Sequence, residues 1–223
     1  MQLHAHRPAM PPPWQDDSGL TLTLRASTPA DAARLGRYFE SGLGPRCRRQ
    51  RFHGAVGRLS TQRLTQLAGA DGVRHHAWVI TLTTLGTLGA PHQEHVIAEA
   101  RLALDATGHT AEFALSVADD WQRRGLGRRL MESLIEQAKA LGVSRLRGSV
   151  MVGNAAMNAL MLSYGLALQI DGDDEQQFAA WLDVQPVGST GTSQPIPRWV
   201  SMLTAGADAL LTARLFLAAS LVR

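Results

Sequence analysis

The feature that most constrains the fold of this chain is a glycine-containing loop that joins a strand to a helix. Residues 111–117, AEFALSV, alternate side chains as a half-buried strand does, and the loop QRRGLG follows at residues 122–127. Apolar residues then recur at helical spacing until Gly142 ends the helix. Backbone N–H groups and the helix dipole at such a junction favour an anion, and glycine lets a bulky phosphate approach the backbone. The sequence therefore predicts a pyrophosphate site on this loop.

This loop differs from the two common nucleotide-binding loops. A P-loop needs Gly-Lys-Ser/Thr, and the dinucleotide fingerprint needs three glycines with an acidic residue about 20 positions further on. The sequence has neither pattern at residues 122–127. Spacing alone leaves a plain glycine turn as the alternative.

Periodicity predicts an α/β organisation on both sides of the loop. The predicted strands are residues 20–26, 76–84, 96–104, 111–117, 145–152, 166–171 and 178–184. The predicted helices are residues 29–41, 60–68, 126–141 and 154–165. Strand, helix, strand and helix alternate after residue 110, which implies parallel neighbouring strands in that part of the chain.

Composition divides the chain into one domain and two flanking segments. Residues 1–18 hold four of the 10 prolines and show no hydrophobic period, so we expect a disordered leader. The domain covers residues 19–184, and residues 185–198 form a linker rich in Pro, Gly, Ser and Thr. Residues 199–223 predict an apolar helix that covers either the flank of its own domain or a second subunit, as in a homodimer.

Several classes of protein are excluded by composition. The one cysteine, Cys47, cannot form an internal disulfide, and the N-terminus lacks a signal-peptide core, which predicts a cytoplasmic protein. Asp208 and Arg214 interrupt the most apolar window, so no transmembrane span is expected. A net charge of +3 without a nucleic-acid motif predicts no nucleic-acid partner. His92 and His95 lack a third ligand, so no metal site is expected.

A run of arginines surrounds Cys47. Arg46, Arg48, Arg49 and Arg51 predict a solvated basic loop between two helices, with phosphate binding as the alternative. Convergence of these charges on Cys47 would lower the pKa of its thiol.

The loop and its surroundings resemble a known family. QRRGLG is similar to the Q/R-x-x-G-x-G/A signature of the GNAT superfamily of N-acetyltransferases, and the resemblance extends from about Leu20 to Val184, including GNAAMNALMLSYGL. More narrowly, AEFALSVADDWQRRGLGRRLMESL resembles the catalytic domain of the Pat-type bacterial protein lysine acetyltransferases. The resemblance implies an α/β GNAT fold, in which a central, mixed and mostly antiparallel sheet is splayed at the acetyl-CoA site and flanked by helices.

The resemblance also implies where acetyl-CoA, the co-substrate, is held. Its pantetheine would run along the strand before the loop, and its pyrophosphate would lie on the loop itself. The implied binding residues are Leu115, Ser116, Val117, Gln122, Arg123, Arg124, Gly125, Leu126, Gly127, Arg128 and Asn154.

Glu112 is the candidate general base. It lies five residues before Val117, roughly 16 Å along an extended strand, which is comparable to a stretched pantetheine arm. In Pat-type enzymes the glutamate of the matching AE-x-A segment is the base. Such a base is needed because a lysine amine with a pKa of about 10.4 is almost wholly protonated at neutral pH. The alternative is a strand glutamate on a solvated face.

The sequence departs from the superfamily at the general acid. Many members carry a tyrosine seven residues after the position of Asn154, where this chain has Met161. Met161 is expected to pack in the core. Tyr164 is three residues further on, and the general acid stays unassigned.

The resemblance favours an N-acetyltransferase that acts on a protein lysine by direct attack of the amine on acetyl-CoA. One alternative is an acetyltransferase for a small amine, for which Asp119, Asp120 and the acidic turn at residues 171–175 are candidate pocket residues. Another is a non-catalytic acyl-CoA-binding regulatory module, which would keep the glycine loop and tolerate loss of Glu112.

Overall fold

The computed structural model describes residues 10–84 and 93–184, which contain an eight-stranded sheet. The strands are β1 (Trp14–Gln15), β2 (Thr21–Ala26), β3 (His75–Thr84), β4 (Gln93–Leu104), β5 (Thr110–Val117), β6 (Arg145–Met151), β7 (Ala167–Ile170) and β8 (Gln177–Asp183). Their order in the sheet is β1-β2-β3-β4-β5-β6-β8-β7. All neighbouring strands are antiparallel except β5 and β6, which are parallel. The predicted mixed, mostly antiparallel sheet is therefore confirmed.

Five α-helices accompany the sheet within residues 10–84 and 93–184. They are α1 (Ala32–Arg37), α2 (Pro45–Phe52), α3 (Thr61–Ala68), α4 (Leu126–Ala140) and α5 (Ala155–Ser163). A π-helical turn (Tyr38–Gly42) extends α1, and 3-10 turns (Pro29–Asp31 and Asp119–Trp121) precede α1 and the glycine loop. None of the helices within the described ranges is long and apolar enough to cross a bilayer.

The helices cover both faces of the sheet. Alternate residues of β5, including Phe113 and Leu115, pack with Leu130 and Leu134 of α4 and with Met161 of α5 in the larger core. Side chains of α1, α2 and α3 form a second core on the other face. That core contains Leu35, Phe39, Phe52 and Leu67 together with Val79 and Val96 of the sheet. The alternation of β5 follows from the period of two in a strand, so Phe113 and Leu115 share the face toward the larger core, while Ser116 on the other face bonds to Tyr38 of the second core.

The sheet splits between β5 and β6. Their parallel register spans three pairs, Thr110↔Arg145, Ala111↔Leu146 and Glu112↔Arg147, and within residues 93–184 it ends there. Gly148 follows at the point of divergence, where a Cβ atom would lie 3.1 Å from Cε1 of Phe113 and 3.4 Å from its carbonyl oxygen. The absent side chain therefore lets β6 approach β5 closely at the vertex from which the two strands separate.

The structure corrects two expectations from the sequence. The arginines around Cys47 were predicted to lie on a loop, but they lie on helix α2, which has Pro45 in its first turn. Arg51 is buried. In the predicted leader, Trp14 and Gln15 form β1 against Leu22 and Thr21, so the prediction of disorder is wrong for these two residues. The ring of Trp14 packs against the larger core and lies under the guanidinium of Arg129, which explains how so short a strand is held.

Four expectations fall on residues outside the described ranges. They concern residues 1–9 of the predicted leader, His92, the linker at residues 185–198, and the apolar helix at residues 199–223 with its proposed contact to a second subunit. They stay predictions.

Candidate active site

A cleft with a cavity volume of about 440 Å³ opens where β5 and β6 separate. The wall on the β5 side consists of residues 113–117, the glycine loop and the first turn of α4. The opposite wall includes Ser149 and Val150 of β6 and residues of α5. Helix α2 and the residue after it contribute Cys47, Gln50, Arg51 and His53. The cleft is thus formed by an interruption of the sheet and covered by helices from both faces.

Most of the residues that the sequence assigned to acetyl-CoA line this cleft. They are Leu115, Ser116, Val117, Gln122, Arg123, Gly125, Leu126, Gly127, Arg128 and Asn154. Arg124 lies differently, because its guanidinium stacks 4.7 Å from the ring centroid of Trp121 and pairs with Asp16 at 3.3 Å. Glu112 forms the last parallel pair before the vertex, with Arg147. It immediately precedes Phe113, which is the first residue of β5 in the cleft lining.

The glycine loop has the geometry of an anion cradle. Gly125 adopts a φ of 79°, which is a left-handed conformation that glycine tolerates, and it starts the 15-residue helix α4. No atom lies within 4 Å of the Cβ position of Gly125, while a Cβ atom on Gly127 would lie 3.4 Å from Leu160. The backbone at the start of α4 is therefore accessible from the cleft, and its N–H groups and dipole favour a phosphate there. These residues fit the pyrophosphate of acetyl-CoA.

Gln122 links the loop to the strand and to α2. Its Nε2 atom donates to the carbonyl oxygen of Val117 at 3.2 Å and to Sγ of Cys47 at 3.3 Å. Burial raises the pKa of the Cys47 thiol, and contacts with Asp119 act in the same direction. Arg46 acts in the opposite direction, but burial and the neighbouring carboxylate outweigh it, so the lowered pKa that convergence of the arginines would produce is not found. Nothing in this environment activates Cys47 as a nucleophile.

Asn154 has a structural role that the sequence predicted. Its Oδ1 atom accepts a hydrogen bond from the backbone N–H of Met157 at 3.2 Å and so caps α5. The same residue lines the cleft opposite the glycine loop. The cap fixes the N-terminus of α5 at the cleft wall.

A buried ionic cluster lies beneath the β5 wall of the cleft. Both carboxylate oxygens of Glu99 are engaged, by Nε of Arg51 at 2.6 Å and by Nε of Arg101 at 2.7 Å. Burial opposes ionisation of Glu99, but the attraction of these two arginines outweighs it and lowers the pKa of the carboxyl. Burial also lowers the pKa of Arg101 to about 10, which keeps it charged at neutral pH.

Ser116 connects this cluster to the cleft wall. Its hydroxyl donates to Glu99 at 2.9 Å and accepts from the hydroxyl of Tyr38 at 2.8 Å. The side chain is therefore held inside the second core. The residues that the sequence assigned to pantetheine are thus supported from below by a hydrogen-bonded network.

Met161, which stands where many superfamily members carry a tyrosine, lines the cleft, whereas Tyr164 is not among the described lining residues. Met161 is buried in the larger core, as predicted, with 2% of its surface exposed. The hydroxyl of Tyr164 donates to Oε1 of Glu132 at 2.9 Å and contacts the carbonyl oxygen of Arg128 at 3.3 Å. Burial and Glu132 both raise the pKa of this tyrosine. Tyr164 therefore connects α5 to α4.

His53 is a cleft residue that the sequence analysis missed. It follows α2 in a left-handed conformation with a φ of 55°, and its Nδ1 atom lies 2.6 Å from Oε1 of Gln177. These residues are 124 positions apart in the sequence. The one local signal for this position was a histidine followed by Gly54, directly after α2, a helix that the sequence did not predict.

Comparisons with known proteins agree with this geometry. Residues 59–166 match the model of the acetyltransferase (GNAT) family. Acetyltransferase PA5475 from Pseudomonas aeruginosa is 30% identical over 161 residues, which cover 72% of this chain and 83% of that protein. Acetyltransferase Pat from Mycolicibacterium smegmatis is 38% identical over 99 residues, which cover 44% of this chain and 27% of that protein. The aligned part of this chain therefore covers about a quarter of the length of Pat.

A solved structure shows the same fold. The GNAT domain of PAT from S. lividans superimposes with a TM-score of 0.65 at 23% identity, covering 78% of this chain and 96% of that one. The matched family model and the similar sequences identify the chain as an acetyltransferase. The chain belongs to the GNAT family of acetyltransferases and is similar to Pat-type catalytic domains, and its co-substrate is acetyl-CoA.

Proposed function

We propose that this acetyltransferase modifies the side-chain amine of protein lysines in the cytoplasm, with Glu112 as the general base. The observation that carries the proposal is the position of Glu112 at the vertex of the split sheet, at the opposite end of β5 from the glycine loop. Acetyl-CoA held by the loop and extended along β5 brings its thioester toward this end. A half-buried carboxylate there removes the proton that keeps a lysine amine from attacking.

Similarity to a protein acetyltransferase supports the choice of acceptor. The 99 residues shared with Pat are 38% identical, and the AE-x-A segment that contains Glu112 is the one in which Pat-type enzymes carry their base. The cleft is also partly open to solvent, which leaves room for a side chain of a protein substrate to enter.

A small amine is the second candidate acceptor. The turn before β8 carries Asp171, Asp173, Asp174 and Glu175, and Asp174 lies close to His53 at the edge of the cleft. This acidic turn attracts a small cationic amine as readily as a lysine. The choice between the two acceptors therefore rests on experiment.

The decisive experiment measures CoA release from acetyl-CoA with two sets of acceptors. One set contains polyamines, amino acids and aminoglycosides, and the other contains lysine peptides and a desalted cell lysate, followed by mass spectrometry of acetylated lysines. Because Lys139 is the one lysine of this chain, the variant Lys139→Arg removes self-acetylation from the background. Acetylation of lysines in folded proteins supports the proposal, while turnover confined to small amines overturns it. Binding of acetyl-CoA without any turnover identifies the regulatory alternative.

A further inference from the structure

The split sheet places a histidine where the reaction needs a proton donor. Among the described residues that line the cleft, Cys47 lies beside the glycine loop with Gln122, and the hydroxyl of Ser116 is committed to Glu99. Tyr164 is bound to Glu132, outside the cleft lining. His53 differs from all three, because an imidazole both takes up and gives back a proton near neutral pH.

His53 lies close to the vertex. The backbone of Ser149, which faces the His53 ring, is one residue beyond Gly148, the point at which β6 touches Phe113. His53 and Ser149 both line the cleft. The imidazole is thus on the wall opposite β5, near the end of the cleft that lies away from the glycine loop.

A chain of hydrogen bonds orients the imidazole. Nε2 of Gln177 donates to Oδ2 of Asp174 at 2.6 Å, which fixes the side-chain oxygen of Gln177 as the acceptor that faces His53. Nδ1 of His53 therefore carries the hydrogen, and Nε2 is the nitrogen with the lone pair when the ring is neutral. Asp174 and Gln177 act as positioning residues for this tautomer.

We propose that His53 is the catalytic residue that returns a proton to the departing CoA thiolate, an inference that rests on the proposed acetyl transfer. The acceptor amine, after losing one proton to Glu112, forms the N–C bond with the thioester carbonyl and becomes positively charged. Its second proton passes to Nε2 of His53. The C–S bond then breaks, and the sulfur receives that proton, which restores the neutral imidazole and leaves an amide and CoA thiol.

The charges around His53 suit such an exchange. Burial lowers the pKa of the imidazole and Arg51 of α2 acts in the same direction, while Gln177, Asp174 and the backbone of Ser149 oppose them. The net lowering leaves the ring neutral at neutral pH, ready to accept a proton. An imidazolium with a lowered pKa is also a better acid toward a thiolate.

The first test is kinetic. With an acceptor that the wild-type enzyme acetylates, His53→Gln is expected to lower kcat by about 10² or more while the KM for acetyl-CoA stays the same, because a positioned acid contributes at least this much. His53→Asn repeats the test with a residue that tolerates the left-handed backbone. His109→Gln, at an exposed histidine, is the matched control and keeps the wild-type kcat.

The second test needs no acceptor. In protein with ¹⁵N-labelled histidine, CoA is expected to shift the Nε2 resonance of His53, whereas CoA that lacks the thiol leaves this resonance unchanged. Equal responses to both ligands, or a kcat of the two His53 variants within a few-fold of wild type, overturn the proposal. If no acceptor is found, the proposed function fails, and the comparison of the two ligands still decides whether His53 contacts the thiol.

Discussion

Nε of Arg51 lies 2.6 Å from Oε1 of Glu99, and only 2% and 0% of the two side chains are exposed. Arg51 belongs to α2 and Glu99 to β4, so this ion pair attaches the helix to the sheet directly beneath the cleft. Arg101 engages the second carboxylate oxygen, and Ser116 bonds to the first. The position of α2, and with it the position of His53, depends on a cluster of charges inside the protein.

Removal of one member of this cluster should destabilise the protein strongly. We expect Arg51→Met to lower the free energy of unfolding by about 3–5 kcal/mol, because it leaves a buried carboxylate without one of its partners. Guanidinium chloride unfolding measures the loss. The matched control is Arg58→Met, whose pair with Glu40 is largely exposed and contributes little. An equal effect of the two substitutions would show that the cluster does not hold α2.

The glycine loop should lose its ligand when a negative charge enters it. Gly127→Asp places a carboxylate at the start of α4, where a phosphate of acetyl-CoA is expected to lie, and calorimetry should then detect no binding. Gly57→Asp is the control, since Gly57 is exposed and no atom lies within 4 Å of its Cβ position. If the folded Gly127→Asp variant binds acetyl-CoA with undiminished affinity, the assignment of the loop as the pyrophosphate site is wrong.

Glu112→Gln should separate catalysis from binding. We expect turnover to fall by about 10² to 10⁴ while the affinity for acetyl-CoA stays near that of the wild type, since only the base is removed. Rates of CoA release across pH 6 to 9 and calorimetry measure the two effects. Glu136→Gln changes an exposed glutamate of α4 and provides the control. Turnover close to wild type over this pH range would mean that another group removes the proton.

Asp31 should make the free energy of unfolding depend on pH in the acidic range. Burial opposes its ionisation, but two hydrogen bonds from Arg25 at 2.8 Å and one from the backbone of Thr28 at 2.9 Å lower its pKa to about 2. The stabilisation is therefore complete above the unfolded-state pKa of about 3.9 and is lost as the pH falls toward 2.

Urea unfolding of wild-type protein and Asp31→Asn measures this contribution. The two should differ by about 2 kcal/mol at pH 5 to 6, and the difference should shrink below pH 4. Asp17→Asn, at an exposed aspartate, is the control for the loss of one charge. A difference that does not change with pH would contradict the role of Asp31.

The sequence was sufficient wherever local periodicity decides the structure. The alternation in β5, the glycine at the start of α4 and the Asn154 cap are local signals, and each element predicted between residues 20 and 184 is present within a few residues. Helix α2 was missed because its buried side includes Arg51, so it lacks the apolar stripe by which a helix is recognised. Arg51 is tolerated there because Glu99, 48 positions further on, is buried beside it.

The contacts that were missed in the cleft are all long-range. His53 and Gln177 are 124 residues apart, and neither carries a local pattern that points to the other. The pairing of β5 with β6 joins the N-terminal and C-terminal parts of the sheet. The register of this pairing could not be predicted from a single sequence. The glycine loop and the Asn154 cap could therefore be predicted, while the contact between His53 and Gln177 could not.

The three-residue parallel pairing of β5 and β6 has a consequence for the lifetime of the protein. Few backbone hydrogen bonds join the two parts of the sheet, and a ligand that contacts β5, α4 and α5 adds interactions that exist only in the folded state. Such a ligand at a hundred times its Kd increases the free energy of unfolding by about 2.7 kcal/mol. Resistance of the chain to heat and to proteolysis then increases with the concentration of acetyl-CoA.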